Sequence, residues 1–282
     1  MTPAIATALG LGAIALWGLL ALITTATAGV PAFEVTAITF TIGGTLAIAI
    51  VALRGRLSLL RQPPMAYALG VGGLFSYHAL YFAALKIAPP AEAGLFSYLW
   101  PLLIVLFTAL LPGENLKLRH VIGALLGFGG VATLAFGKGN LAFNANHVLG
   151  YGLATAAAIV WASYSVLSRR MASVPTDAVA IFCLITALLA TICHFAFETT
   201  VWPPASQWVA LVALGIGPVG AAFFLWDYGM KQGDIRFLGV ASYAAPVIST
   251  LALVLAGATT ATAALAIACV LIVAGAAIAS RR

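Results

Sequence analysis

The chain has 282 residues, of which 63% are hydrophobic and only 7% charged, with a mean hydropathy of +1.11. A surface that apolar excludes a soluble domain of this size and places the chain in a lipid bilayer. The net charge of +6 comes from cations scattered over several loops rather than gathered with aromatics on one face, which excludes a nucleic-acid-binding reading.

A helix needs about 20 apolar residues to cross the hydrocarbon core of a bilayer. Ten such runs are separated by charged or Pro/Gly-rich punctuation, with cores at 3–28, 34–53, 64–86, 92–111, 118–136, 147–169, 177–197, 206–230, 236–256 and 260–280. Backbone amides in lipid must pair within their own segment, and these runs lack the alternation of an outer-membrane strand. All ten are therefore predicted as helices, giving an all-α integral membrane fold. The loops are too short for an ATPase or receptor module, so the chain is expected to act within the bilayer.

The first segment carries Trp17 well inside the run and no carboxylate between residues 10 and 25. The third places Tyr77 and Tyr81 four apart, on one helix face, with His78 beside them. For His78 a contact to substrate, a structural hydrogen bond and proton carriage all remain open. The fourth holds Ser97, Tyr98, Trp100 and Pro101; the fifth is rich in glycine, and Gly123, Gly127 and Gly130 are read, with Ala268 and Gly275 of the tenth, as close helix contacts. The sixth contributes Trp161 and Tyr164.

The eighth segment contains GIGPVG at 215–220, which fits a dinucleotide fingerprint. It lies inside an apolar span without βαβ surroundings, so it is read as tight packing or a kink. Phe223 and Trp226 follow, then Asp227 and Lys231, spaced for an i,i+4 ion pair at the membrane interface. The ninth holds Ser242, Tyr243 and Pro246. A proline inside a helix frees the carbonyl four residues back, which is that of Ser97 for Pro101 and of Ser242 for Pro246. Both prolines are predicted hinges, and both freed carbonyls are predicted to line a cavity and accept from a substrate ammonium.

Interfacial belts explain Tyr67, Trp202 and Trp208, which lie near segment ends, but not the deeper rings. A cavity walled by rings with hydroxyl or indole donors suits a ligand with an apolar aromatic body and a polar end. The candidate substrate contacts are Trp17, Tyr77, His78, Tyr81, Ser97, Tyr98, Trp100, Trp161, Tyr164, Phe223, Trp226, Ser242 and Tyr243. Core packing is the alternative for any single ring. Cys183, Cys193 and Cys269 fall within spans and read as small apolar packers. No metal-spaced, phosphate-binding or nucleophilic constellation is present, so no cofactor, metal or enzymatic activity is expected.

The chain repeats itself. Ser97, Tyr98 and Pro101 return as Ser242, Tyr243 and Pro246, an offset of 145 that also relates Lys86 to Lys231. An offset of 144 relates Trp17 to Trp161 and Val30-Pro31 to Val174-Pro175. The repeats, 1–137 and 147–282, hold five spans each, and an odd number inverts the second copy relative to the first. Inverted repeats are an architecture of secondary transporters, with the substrate near the midplane. With the termini in the cytoplasm, eleven Lys/Arg lie inside (Arg54, Arg56, Arg61, Lys117, Arg119, Arg169, Arg170, Lys231, Arg236, Arg281 and Arg282) and only Lys86 and Lys138 outside.

The ten-span pair of repeats, a Pro-bearing fourth helix ending in Gly113-Glu114 and a Gly-rich fifth helix resemble the drug/metabolite transporter superfamily in its EamA-type branch. Ser76-Tyr77, Tyr98-Leu99-Trp100-Pro101, Trp161-Ala162-Ser163-Tyr164 and Ser242-Tyr243 with Pro246 look like the aromatic amino acid exporters of that branch. The resemblance covers the whole chain. It implies a bacterial inner-membrane exporter of aromatic or bulky apolar amino acids, with the amino acid and the bilayer as its partners; a monomer is expected. One departure is that Ala256-Gly257 stands in the second repeat where the first has Gly113-Glu114, which argues against a transport role for Glu114. The small multidrug-resistance relatives exchange protons through a carboxylate in the first helix; this chain has none there, and a gradient-driven uniporter is expected. The alternatives are a proton-coupled exporter of other metabolites or lipophilic drugs, and, from another class, a non-transporting receptor or intramembrane enzyme.

Overall fold

The computed structural model describes residues 2–113, 115–137 and 143–281. Lys138, Glu114 and Arg282, which entered the charge and motif arguments, lie outside the described residues, as does Met1. Ten membrane-length helices are found among the described residues: α1 Pro3–Thr25, α2 Ala32–Leu53, α3 Pro64–Ile87, α4 Pro90–Leu110, α5 Leu118–Gly137, α6 Ala145–Arg170, α7 Thr176–Phe197, α8 Ala205–Gln232, α9 Ile235–Leu255 and α10 Ala263–Ser280. The first is shorter than the predicted 3–28, because Thr25–Gly29 turn back on themselves and Gly29 adopts φ +90°.

Helix starts follow local chemistry. Thr2 accepts from the Ile5 amide with Pro3 at the first helical position, and Thr262 accepts from Leu265 at 3.2 Å. The α2 start is capped from a distance, by the Glu198 carboxylate accepting from the Phe33 and Glu34 amides at 3.1 and 3.2 Å. The same carboxylate lies 3.0 Å from His194 Nδ1, whose other nitrogen meets Thr200 Oγ1 at 2.9 Å. Repeat one and the end of α7 are thus tied together at the face opposite the termini.

The helices pair α2 with α7, α5 with α10, α3 with α6 and α1 with α8. A two-fold operation that exchanges α1 with α6, α2 with α7, α3 with α8 and α5 with α10 maps this set onto itself: the first two pairs onto themselves, and the α3–α6 pair onto α8–α1. Side chains on the outer surface, such as Val209, Val270, Val273 and Leu188, are exposed and apolar, as lipid requires. Between helices, where lipid offers no hydrophobic gain, small residues allow close approach. Gly43 is the clearest case: a Cβ there would lie 2.6 Å from the Gly215 carbonyl oxygen and 2.9 Å from Gly220 Cα. The GIGPVG run is accordingly a packing surface, and it bulges into a π turn at Gly217–Ala221.

Three further helices are interrupted. The break in α1 falls at Leu19, that in α4 at Tyr98–Leu99, and that in α9 at Ser242–Tyr243. The α4 and α9 breaks sit at equivalent places in the two repeats, next to Pro101 and Pro246.

Candidate functional site

Four indoles meet where α1, α4, α6 and α8 cross. Trp17 lies with its ring centroid 5.1 Å from Trp226, 5.6 Å from Trp161 and 6.3 Å from Trp100. Two of the four have their N–H satisfied inside the protein. Trp17 Nε1 donates to the Pro218 carbonyl at 3.0 Å, an oxygen that the π turn of α8 directs inward, and Trp226 Nε1 donates to Ser165 Oγ at 3.0 Å. Trp226 is fully buried and forms the floor of the arrangement.

Above that floor lies a cavity of about 310 Å³, walled by Trp17, Tyr77, His78, Tyr81, Ser97, Tyr98, Trp100, Trp161, Val219, Phe223 and Ser249. Tyr77 and Tyr81 stack on each other at 6.1 Å and an interplanar angle of 14°, as their shared helix face predicts. Phe40 of α2 backs the wall, stacked on Phe223 at 5.4 Å and edge-on to His78 at 5.2 Å. The imidazole Nδ1 lies 2.7 Å from the Leu74 carbonyl. A carbonyl only accepts, so Nδ1 carries a proton and Nε2 is the nitrogen left for a ligand. Among the described residues no carboxylate, Lys or Arg lines this space. A second cavity of about 410 Å³ shares Leu20, Tyr77, His78, Tyr81 and Val219 with the first and continues it to 27–30, at the face opposite the termini.

On the terminus side the path beneath the tryptophans is closed, while a separate cavity of about 610 Å³ lies on that face between α2, the α6–α7 connection and α8, lined by Arg54, Asp177, Phe224 and Lys231 among others. Arg169 donates to the Met230 and Gly233 carbonyls at 3.0 and 2.8 Å, Arg170 to Leu110 at 2.6 Å, and Arg236 to Asn115 at 2.8 Å. Asp227 and Lys231 form the expected i,i+4 pair at 2.8 Å, but it is not interfacial: both side chains are buried. The pair is held against the α6–α7 connection and the start of α7: Thr176 Oγ1 donates to Asp227 at 2.6 Å and Lys231 Nζ donates to the Val174 carbonyl at 2.9 Å.

Four of the candidate contacts do not line the cavity: Trp226 lies beneath it, and Ser242, Tyr243 and Tyr164 are placed elsewhere. Ser242 is fully buried, its hydroxyl donates to the Leu238 carbonyl at 2.7 Å, and its own carbonyl accepts from Ala245 at 3.1 Å, so the acceptor expected from the Pro246 kink is already occupied. Tyr243 points the other way, its ring against Gly127, and its hydroxyl accepts from the Leu102 amide at 3.1 Å. That amide would bond Tyr98 in an unbroken helix; the donor left over by the break beside Pro101 is therefore paired from the other repeat. Tyr164 packs on Gly73 on the terminus side of Trp161, outside the cavity. Sequence reasoning missed Phe40, Val219 and Ser249, which are unremarkable aliphatic, aromatic or hydroxyl residues in apolar runs. The Gly217-Pro218 pair was the only signal that α8 would deform and hand a carbonyl to Trp17. Among the described residues no cluster suited to a metal ion occurs.

The chain matches the EamA-like transporter family over residues 4–136 and 148–281. It is 58% identical, over 99% of its own length and 98% of the relative's, to the aromatic amino acid exporter YddG of Ancylobacter novellus. It is 30% identical to the aromatic amino acid exporter YddG of Escherichia coli, with 89% and 88% of the two chains covered. More distantly, it is 27% identical to the biotin transporter of Escherichia coli over 67% of its length and 64% of that protein. A crystal structure of a protein 57% identical to it superposes with a TM-score of 0.97, covering 99% of this chain and 97% of the other.

Proposed function

Since the chain belongs to the EamA-like transporter family, we propose that it exports aromatic and bulky apolar amino acids across a bacterial inner membrane by alternating access. It is a multi-pass membrane transporter and not an enzyme. The observation that carries the substrate class is the cavity of about 310 Å³, walled by aromatic rings with polar tips and free of charged groups. A phenyl or indole body gains apolar contact there, while Tyr and Ser hydroxyls and His78 Nε2 offer neutral hydrogen bonds to the amino acid's polar end. Similarity to two aromatic amino acid exporters supports the same reading.

In this reading the termini are cytoplasmic, by the excess of Lys and Arg at their face, and the open cavity faces the periplasm. The repeats 1–137 and 147–282 rock against each other as a monomer, with the breaks beside Pro101 and Pro246 absorbing the change. Tyr77, His78, Tyr81, Ser97, Tyr98, Trp17, Trp100, Trp161 and Phe223 contact the substrate, and Trp226 supports them from below. A wall without a carboxylate gives a coupled proton no acidic carrier, so transport follows the amino acid gradient. His78 favours the competing reading of proton coupling, because it is the one titratable imidazole in the wall.

The test is counterflow of labelled phenylalanine into proteoliposomes preloaded with unlabelled amino acids, without an ion or pH gradient. Uptake driven by internal aromatic but not small polar amino acids is expected. Uptake only after a pH gradient is imposed overturns gradient-driven transport in favour of proton coupling, and silence under both conditions overturns the substrate class.

A further inference from the structure

Six residues that line the open vestibule have repeat equivalents around one small void on the terminus side. The open vestibule of about 410 Å³ is lined by Leu20, Thr24, Thr27 and Val30, with Leu214 and Phe82 opposite. Each has a repeat equivalent at an offset of 144 or 145: Tyr164, Ser168, Met171 and Val174, with Leu69 and Asp227. All six equivalents line one void at the terminus side, of only about 10 Å³. At these six positions the void corresponds to the open vestibule, and two of its lining residues, Val174 and Lys231, also border the cavity of about 610 Å³ on the same face.

The two spaces differ in chemistry. Where the open vestibule has Leu20 and Phe82, the void has Tyr164 and Asp227, and Lys231 lines it beside Asp227. The equivalent of Lys231 is Lys86, which is exposed and does not line the open vestibule. The Tyr164 hydroxyl is buried without a hydrogen-bond partner among the described residues, an arrangement that costs on the order of 1–3 kcal/mol unless another state uses it.

We propose that Asp227, Lys231 and Tyr164 form a recognition site for the zwitterionic end of an amino acid in the terminus-open state, on the loading side of the export reaction. The proposal rests on the transport reading above. In the closed gate Thr176, at the start of α7, gives Asp227 one donor, its hydroxyl, and the α6–α7 connection gives Lys231 one acceptor, the Val174 carbonyl. An α-ammonium group is a donor and an α-carboxylate an acceptor, so a zwitterion replaces both when the connection withdraws. Asp227 and Lys231 remain paired along their own helix, so neither charge is left uncompensated during the exchange. Tyr164, already facing the void, donates to the incoming carboxylate. The apolar far-side vestibule has no such groups, so the amino acid is held more weakly where it is released.

The experiment measures half-saturation for phenylalanine separately from each face, in inside-out and right-side-out vesicles of known orientation. 3-Phenylpropionate, which lacks the ammonium, and phenethylamine, which lacks the carboxylate, serve as competitors. Asp227→Asn and Lys231→Met are expected to raise half-saturation from the terminus face by about tenfold, the loss of one charge-assisted hydrogen bond, and to leave the other face within about twofold. Asp227→Asn should also let 3-phenylpropionate compete like phenylalanine, and Lys231→Met should do the same for phenethylamine. Unchanged half-saturation and discrimination, or equal shifts at both faces, overturn the proposal. If the wild type moves no aromatic amino acid, the transport reading has failed instead. Should these variants not insert, Ser168→Cys in a background lacking Cys183, Cys193 and Cys269 tests the same space with the pair intact. Phenylalanine should protect that cysteine from an impermeant thiol reagent applied at the terminus face; labelling without protection, or none at all, overturns the proposal.

Discussion

The hydroxyl of Tyr243, in the second repeat, accepts a hydrogen bond at 3.1 Å from the backbone amide of Leu102, in the first. It thereby closes the gap that the break at Tyr98–Leu99 opens in α4. Tyr243→Phe removes the acceptor and leaves a buried amide unpaired, which costs about 1–3 kcal/mol. A lowered Tm in detergent and slower counterflow are expected, with half-saturation for phenylalanine unchanged because the ring lies outside the cavity.

Trp17 bridges the repeats differently, donating from α1 to the π turn of α8. Trp17→Phe keeps an aromatic wall but strands the Pro218 carbonyl. Flux should fall by about tenfold, corresponding to roughly 1.4 kcal/mol, with surface amounts of protein close to wild type. Normal flux at normal abundance would show that this bond does not matter to transport.

Tyr98→Ala and His78→Ala each open the wall of the cavity and should abolish saturable phenylalanine counterflow while the protein remains inserted. Ser242→Ala removes only a hydroxyl that bonds its own helix and does not line the cavity, so half-saturation for phenylalanine should be unchanged. Equal damage from all three would place Ser242 in the substrate path after all.

Gly43→Leu forces a side chain into the Gly215 carbonyl and Gly220, neither of which is a flexible group that yields. Loss of folded protein is expected in size-exclusion chromatography of detergent extracts. Gly129→Leu, at a glycine with open space around it, should behave as wild type.

Glu198→Ala deletes the carboxylate that caps α2 and contacts His194. Loss of such a cap costs about 0.5–2 kcal/mol, so a Tm decrease is expected with little change in substrate affinity, since the cluster does not line the central cavity.

The ten spans and the repeat were legible in the sequence because they depend on length, apolarity and matched residues, none of which needs tertiary knowledge. The shared face of Tyr77, His78 and Tyr81 was legible for the same reason: it follows from helical periodicity alone. Ser242 and Tyr243 were misplaced because their equivalents Ser97 and Tyr98 do line the cavity, and the matched motif implied matched exposure. In an inverted pair caught in one state these equivalents differ: α4 turns Ser97 and Tyr98 to the cavity, whereas α9 presents Ser249 to it and packs Tyr243 against Gly127 of α5. The burial of Asp227 and Lys231 escaped for a related reason. Their spacing is visible in sequence, but only tertiary structure brings Thr176 and the Val174 carbonyl onto them.

The four packed indoles have a spectroscopic consequence. Transition dipoles 5–6 Å apart and steeply inclined, as between Trp17 and Trp161 at 5.6 Å and 75°, couple strongly enough to split the indole bands in circular dichroism. The two other tryptophans, Trp202 and Trp208, stand outside the box and contribute no such splitting. The protein therefore carries a built-in optical gauge of its own midplane, readable in unlabelled material as a ligand enters or the halves change position.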